Sequence, residues 1–136
     1  MEFALIHKER KVANQVSSMI IVGSVAGKDI ILVDDMADTC GTVLKATEKL
    51  KEAGALKVYV LCVHGIFSDD ALKKIQDSVI DTFVVTNTID NTKKLEGVTK
   101  VTQIDVAPTF AEAIRRTEYK ESISYLFAHP CFKKSS

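Results

Sequence analysis

Two adjacent carboxylates, Asp34 and Asp35, follow directly on four apolar residues, Ile30 to Val33. The run is short and β-branched, which reads as a strand buried on both faces. Its acidic pair then sits where a buried strand emerges, the usual ligand position in an open α/β sheet. Next comes the short polar stretch Ala37-Asp38-Thr39-Cys40-Gly41-Thr42, and a helical pattern starts at Val43. Backbone N–H groups of such a loop and first helical turn face the strand's end and suit an anion, phosphate above all. Asp34 and Asp35 would repel a phosphate, so the amides and the Thr39 and Thr42 hydroxyls fit it better. The two aspartates suit sugar hydroxyls or a hard cation such as Mg2+. Phosphate at one end and a diol or metal at the other describes a phosphorylated sugar. The same acids, with Asp38, also read as plain turn and N-cap residues.

These residues must be held by elements around them. Phe3 to His7 is extended and apolar, Lys8-Glu9-Arg10-Lys11 is a charge run that reads as a solvated loop, and Met19 to Gly23 is a second strand. A short strand, a charged connection and a return strand suggest a hairpin-like flap. Val43 to Ala53 has one-sided helical spacing, with Gly54 as its C-cap. Lys57 to Gly65 is another buried strand, so strand–helix–strand implies a parallel crossover. A helix from Ala71 to about Ser78 is capped by Ser68 or Asp69, a strand spans Asp81 to Thr88, and Asn91 to Gly97 is a loop. Val101 to Val106 is a strand, and Pro108 opens a helix to about Arg116. Glu121 to Phe127 alternates like an edge strand. His64 ends a strand on the same edge as Asp35, where it lines the site or is simply a satisfied structural histidine.

The 136 residues fit one domain, 46% hydrophobic and 26% charged, hence globular. Eighteen basic and eighteen acidic side chains give no basic excess for nucleic acid. No apolar run is long enough to span a membrane, and the start has no signal-peptide layout. Cys40, Cys62 and Cys131 lack metal spacing, and scattered unpaired thiols suit a reducing, cytoplasmic setting. Cys40 as a nucleophile would need a paired base, and none is evident.

The segment Val33-Asp34-Asp35-Met36-Ala37-Asp38-Thr39-Cys40-Gly41-Thr42 resembles the phosphoribosyl diphosphate fingerprint of the type I phosphoribosyltransferase fold. It is most similar to that of the ribose-phosphate diphosphokinases, many of which have Gly where this chain has Cys40. Phe3-Ala4-Leu5-Ile6-His7-Lys8-Glu9-Arg10 resembles their catalytic flexible loop, including its Lys-x-Arg pair. Ala113-Ile114-Arg115-Arg116 followed by Glu121-Ser122-Ile123-Ser124-Tyr125-Leu126-Phe127 resembles a segment that, in regulated members, contributes to a phosphate-binding effector site between subunits.

The resemblance implies an α/β fold, a Rossmann-like parallel sheet with helices on both faces and a flap strand pair. It implies transfer of the diphosphoryl group of ATP to ribose 5-phosphate, giving phosphoribosyl diphosphate and AMP for nucleotide biosynthesis, with Mg2+. Asp38, Thr39, Cys40, Gly41 and Thr42 would form the 5-phosphate loop. Asp34 and Asp35 would hold the ribose hydroxyls directly or through Mg2+, Lys8 and Arg10 would act on the diphosphoryl group, and Ser122 and Ser124 would line the regulatory phosphate site. Residues 1–136 would be a single phosphoribosyltransferase-like domain, the C-terminal part of a larger two-domain enzyme that is a homo-oligomer at full length. The preceding domain and an Asp- and Gly-rich diphosphate loop of that family have no counterpart here, so the chain alone is expected to be inactive. Other readings are a non-catalytic regulatory or associated subunit of the same complex, and a base phosphoribosyltransferase. The Lys8-x-Arg10 and Ser122-x-Ser124 patterns disfavour the last.

Overall fold

A computed structural model of the chain describes residues 5–12 and 15–131, with side chains from residue 21 onward. Two strands, Leu5–Val12 (β1) and Gln15–Val22 (β2), form an antiparallel pair of their own. Four more, Ile30–Ala37 (β3), Val58–Gly65 (β4), Thr82–Thr86 (β5) and Val101–Ile104 (β6), form a parallel sheet in sequential order. The connecting helices are Gly41–Glu52 (α1) after β3, Ala71–Asp77 (α2) after β4, and Ala107–Glu118 (α3) and Tyr125–Ala128 (α4) after β6. This is the expected parallel α/β sheet flanked by helices, with a separate strand pair before it.

The core follows from alternation along the strands. Val58, Val60 and Cys62 of β4 and Phe83 and Val85 of β5 are buried, and Val43 of α1 with Ala71 and Ile75 of α2 pack with them. A second cluster joins Val25, Leu50, Ala55 and Val58, with Ile21 of β2 packed against it. The strand pair is thus rooted at its base in the core beneath α1. Gly54, at φ +90°, closes α1: its N–H donates to Lys51 O, and Ala55 N–H donates to Leu50 O. Only a residue tolerant of positive φ fits there.

Several sequence expectations need correction. The apolar run at Ile30 is not buried on both faces. β3 is an edge strand, with Ile31 60% and Val33 69% exposed, because only the other side of the strand faces the packed helices. Nor does β3 stop before its acids. Parallel pairing continues with Asp34 opposite Cys62 and Ala37 opposite Gly65. β1 runs through the charge run to Val12, since a two-stranded ribbon accepts charged residues along its backbone ladder. Asp70 precedes α2 in place of Ser68 or Asp69, and Asp69 takes a left-handed φ of 53°. The expected edge strand from Glu121 to Phe127 is a turn leading into α4. There Ser122 Oγ and Ser124 Oγ lie 2.7 Å apart, and local hydroxyl bonding competes with an extended ladder.

Asp81 ties three elements together at the amino edge of the sheet. Its Oδ2 accepts from Val58 N–H at 2.8 Å and from Lys51 Nζ at 2.9 Å. The Val58 amide and then the lysine hold its carboxyl below its usual pKa. A depressed carboxylate pKa adds stability that is present above the unfolded value and lost as pH falls through the folded one. Asp81→Asn should therefore cost about 1 kcal/mol at pH 7, allowing for solvent screening. The difference from wild type should shrink as pH drops below about 4 in urea titrations.

Candidate functional site

Parallel pairing brings every strand's carboxyl end to one edge. Met36 lies opposite His64, Ala37 opposite Gly65, His64 opposite Thr86, and Thr86 opposite Ile104. The loop Asp38–Cys40, the His64–Phe67 turn, Thr86–Thr88 and Asp105 therefore share one rim. Along it, His64 Nδ1 and Thr88 Oγ1 are 2.8 Å apart, and Thr86 Oγ1 donates to Val63 O at 2.7 Å. Asn87 Nδ2 donates to Asp105 Oδ1 at 2.7 Å, while its own Oδ1 accepts from Val106 N–H.

The anion loop is short because β3 runs almost to α1. Asp38 and Thr39 form a bend, and Cys40 is the residue before the helix, at φ 60° and ψ 3°. That is the left-handed region, which costs an L-residue about 1 kcal/mol and favours glycine. Cys40 retains a buried side chain there, with Sγ 3.6 Å from Asp38 O.

No side chain caps α1, its first turn carries no acid, and its first ladder bond is Leu44 N–H to Cys40 O. The preceding amides lie outside the helical ladder and face the strand ends with the positive end of the helix dipole. Gly41 has an ordinary φ, and a Cβ added to it would meet nothing within 4 Å. The fold therefore does not need this glycine; the open space is where a ligand's backbone approach would need it. Thr39 is exposed and Thr42 half-buried, both within the same turn.

Asp34 and Asp35 are successive strand residues, so their side chains leave β3 on opposite faces. Asp34 is half-buried and its Oδ1 accepts from Asp35 N–H at 3.1 Å. Asp35 is exposed and its Oδ1 accepts from Met36 N–H at 2.8 Å. Among the described residues no group of three or more His, Cys, Asp or Glu side chains could hold a metal ion. Because they point to opposite faces, each could offer a cation only its own carboxylate oxygens, the rest of the coordination falling to other groups and water.

Lys8 and Arg10 lie in β1, their backbones opposite Met19 and Val16 with a register break before Arg10. Their side chains fall outside the described part of the structure. Ser122 and Ser124 lie in the turn before α4, after α3 in the chain, and no hydrogen bond joins them to the Asp38–Thr42 loop among the described residues. Beside them Arg115 pairs with Glu112 and Glu121, and Arg116 with Glu112, all at 2.8 Å. Arg116 also lies over Tyr125 at 4.2 Å and donates to Ser122 O. The Arg115 guanidinium, then Arg116, holds the Glu112 carboxyl down at about 2. An anion binding here would compete with carboxylates already seated on these arginines.

Burial raises both core thiols, Cys40 to about 11 and Cys62 to about 12, with Asp38 adding to the first and Asp34 to the second. Neither is a thiolate at neutral pH, so Cys40 contributes shape to the loop rather than a nucleophile. Sequence reasoning missed Asn91, Lys94 and the Gly65–Phe67 turn, which brace the loop from behind. Their only sequence signal was membership of polar connections following strands.

An α/β domain with an uncapped helix start and an acidic pair at the carboxyl edge of a parallel sheet has its polar groups where open α/β sheets hold their ligands. The chain belongs to the phosphoribosyl synthetase-associated domain family, whose model matches residues 4–128. The structure is also similar to phosphoribosylpyrophosphate synthetase from Mycobacterium smegmatis, at 36% sequence identity and a TM-score of 0.75 over 86% of this chain. The chain spans 37% of that protein's length.

Cys40→Gly should change stability by less than about 1 kcal/mol, because relief at φ 60° offsets the lost thiol burial. In thiol labelling at pH 8, Cys131 should react readily in the native protein, and Cys40 and Cys62 only on unfolding.

Proposed function

We propose that the chain is the sugar-phosphate half of a ribose-phosphate diphosphokinase, which transfers the diphosphoryl group of ATP to the C1 hydroxyl of ribose 5-phosphate and releases AMP. The observation that carries this is the uncapped start of α1, joined by the short Asp38–Cys40 connection to the strand end that bears Asp34 and Asp35. The amides from Thr39 onward and the Thr39 and Thr42 hydroxyls bind the 5-phosphate. Asp35, and Asp34 on the other side of the strand, accept from the ribose hydroxyls and orient C1. Gly41 keeps the approach to the backbone open. Lys8 and Arg10, by the resemblance of their segment to the catalytic flexible loop, would stabilise the shifting charge of the diphosphoryl group. Mg2+ bound with the substrates would neutralise phosphate oxygens, with the aspartates supplying hard ligands.

The family match and the related synthetase support this reading, and neither favours a base phosphoribosyltransferase. In this reading the domain works as the C-terminal part of a larger two-domain enzyme, in which ATP is held mostly by other parts. A homo-oligomer and a cytoplasmic setting accompany the proposal, the latter in keeping with the free thiols of Cys40, Cys62 and Cys131. Ser122 and Ser124 would serve an effector phosphate once Glu121 gives way.

Two measurements test it. Calorimetry should show binding of ribose 5-phosphate but not of ribose, weakened at least tenfold by Gly41→Val. Undiminished binding by that variant would contradict the loop assignment. AMP release from ATP, ribose 5-phosphate and Mg2+ should be undetectable for this chain alone, since losing the alignment of ATP forfeits roughly 7–11 kcal/mol of barrier lowering. Fusion behind the upstream portion of the related synthetase should restore turnover. A folded, substrate-binding fusion without turnover would favour the non-catalytic subunit.

A further inference from the structure

The loop Asp38–Thr42 is braced from behind by a chain of hydrogen bonds that starts in the connection between β5 and β6. The Ala37 carbonyl, at the last residue of β3, accepts from two amides of the following turn, Ile66 N–H at 2.8 Å and Phe67 N–H at 3.0 Å. That turn is held in place in its own right. Asn91 Nδ2 donates to Gly65 O at 2.7 Å, and Lys94 Nζ donates to Ile66 O at 2.9 Å. Phe67, at φ 52°, is buried edge-on against Phe83 with ring centroids 5.8 Å apart. It also lies so close to Gly65 that a Cβ there would approach its ring to 2.5 Å.

Asn91 is the innermost member of this chain. It is fully buried, and its second amide proton reaches Ile89 O at 3.3 Å. Both donors therefore face carbonyls, which fixes the orientation of the amide. The Oδ1 is left buried without a hydrogen-bond partner among the described residues. A buried acceptor without a partner is costly. An apolar residue of the same size would avoid that cost but would take the donor from the Gly65 and Ile89 carbonyls. What the asparagine supplies is a pair of directed bonds, one to the Gly65 carbonyl and one to its own connection at Ile89 O. Its own connection is also tight: Asp90 Oδ1 accepts from Thr92 N–H, and Leu95 N–H closes on Asn91 O.

We propose that Asn91 is a positioning residue for the anion loop, acting through Gly65–Phe67 on Ala37, with Lys94 as the outer arm of the same clasp. The ligand side of this proposal rests on the assignment of the Asp38–Thr42 loop to a sugar phosphate. Asn91 touches no substrate. It sets where β3 ends and hence where the amides after Ala37 point. A displacement of those amides weakens phosphate binding out of proportion to any loss of stability.

The test compares Asn91→Leu and Lys94→Met with wild type and with Ile80→Val, a core variant outside the clasp, all in the full chain. Nitrogen–proton NMR of the ligand-free proteins should show the amides of Ala37 to Thr42 shifted in both clasp variants and unmoved in Ile80→Val. Calorimetry with ribose 5-phosphate should give a dissociation constant about tenfold weaker for Asn91→Leu and a few-fold weaker for Lys94→Met. Urea midpoints should stay within the range set by Ile80→Val. If Asn91→Leu fails to fold, Lys94→Met, an exposed substitution, gives the same two readouts. Unmoved amides at residues 37–42 in the clasp variants that fold would overturn the proposal, as would equal weakening of binding by Ile80→Val. If wild type does not bind ribose 5-phosphate, the sugar-phosphate assignment fails, and the amide shifts still decide whether the clasp positions the loop.

Discussion

Once Ile30–Ala37 pairs in parallel with Val58–Gly65, the ends of both strands lie side by side, with Ala37 opposite Gly65. Everything at the candidate site depends on that pairing. It leaves the turn after β4 close enough for two of its amides to close on the Ala37 carbonyl. It also leaves only Asp38, Thr39 and Cys40 between strand and helix. A connection that short cannot reverse direction on ordinary backbone angles alone, and the left-handed Cys40 completes the turn. The helix then starts with its amides aimed at the rim where Asp34 and Asp35 emerge.

Among the described residues, part of the backbone strain and incomplete satisfaction lies at this corner, the rest at Lys120, Gln103 and Thr109. Cys40, Phe67 and Asp69 take positive φ, and Asn91 buries a carbonyl oxygen without a partner. Elsewhere the packing is conventional, with apolar side chains alternating into the core from β4 and β5. Local departures from the best choice of residue are expected where a site must be held in one geometry. Burial also keeps the Cys40 and Cys62 thiols neutral, their pKa values raised above the usual range.

The parallel strands, the crossover helix and the acidic pair were legible because each has a local signal: apolar runs, one-sided spacing closed by a Gly, and two acids at a strand's end. The exposure of Ile31 and Val33 was not, because an apolar run is the same in sequence whether its strand is central or at an edge. The extension of β3 through Asp34 and Asp35 was hidden by their charge, as backbone pairing is indifferent to it at an edge. Ser122 and Ser124 alternated like strand residues, but their hydroxyls bond to each other in a turn. Asn91 was illegible for another reason. Its partners are Gly65 and Ile66 by way of a neighbouring strand's loop, and no spacing in the sequence announces such a contact.

The most direct measurement is the location of ribose 5-phosphate on this chain by amide chemical-shift mapping. Binding at the uncapped start of α1 predicts the largest shifts at Thr39 to Val43, with smaller ones at Asp34 and Asp35, and saturation on titration. Shifts concentrated instead around Arg115, Arg116 and Ser122, or none in the Asp34–Val43 stretch at saturating ligand, would contradict the assignment of the sugar-phosphate site.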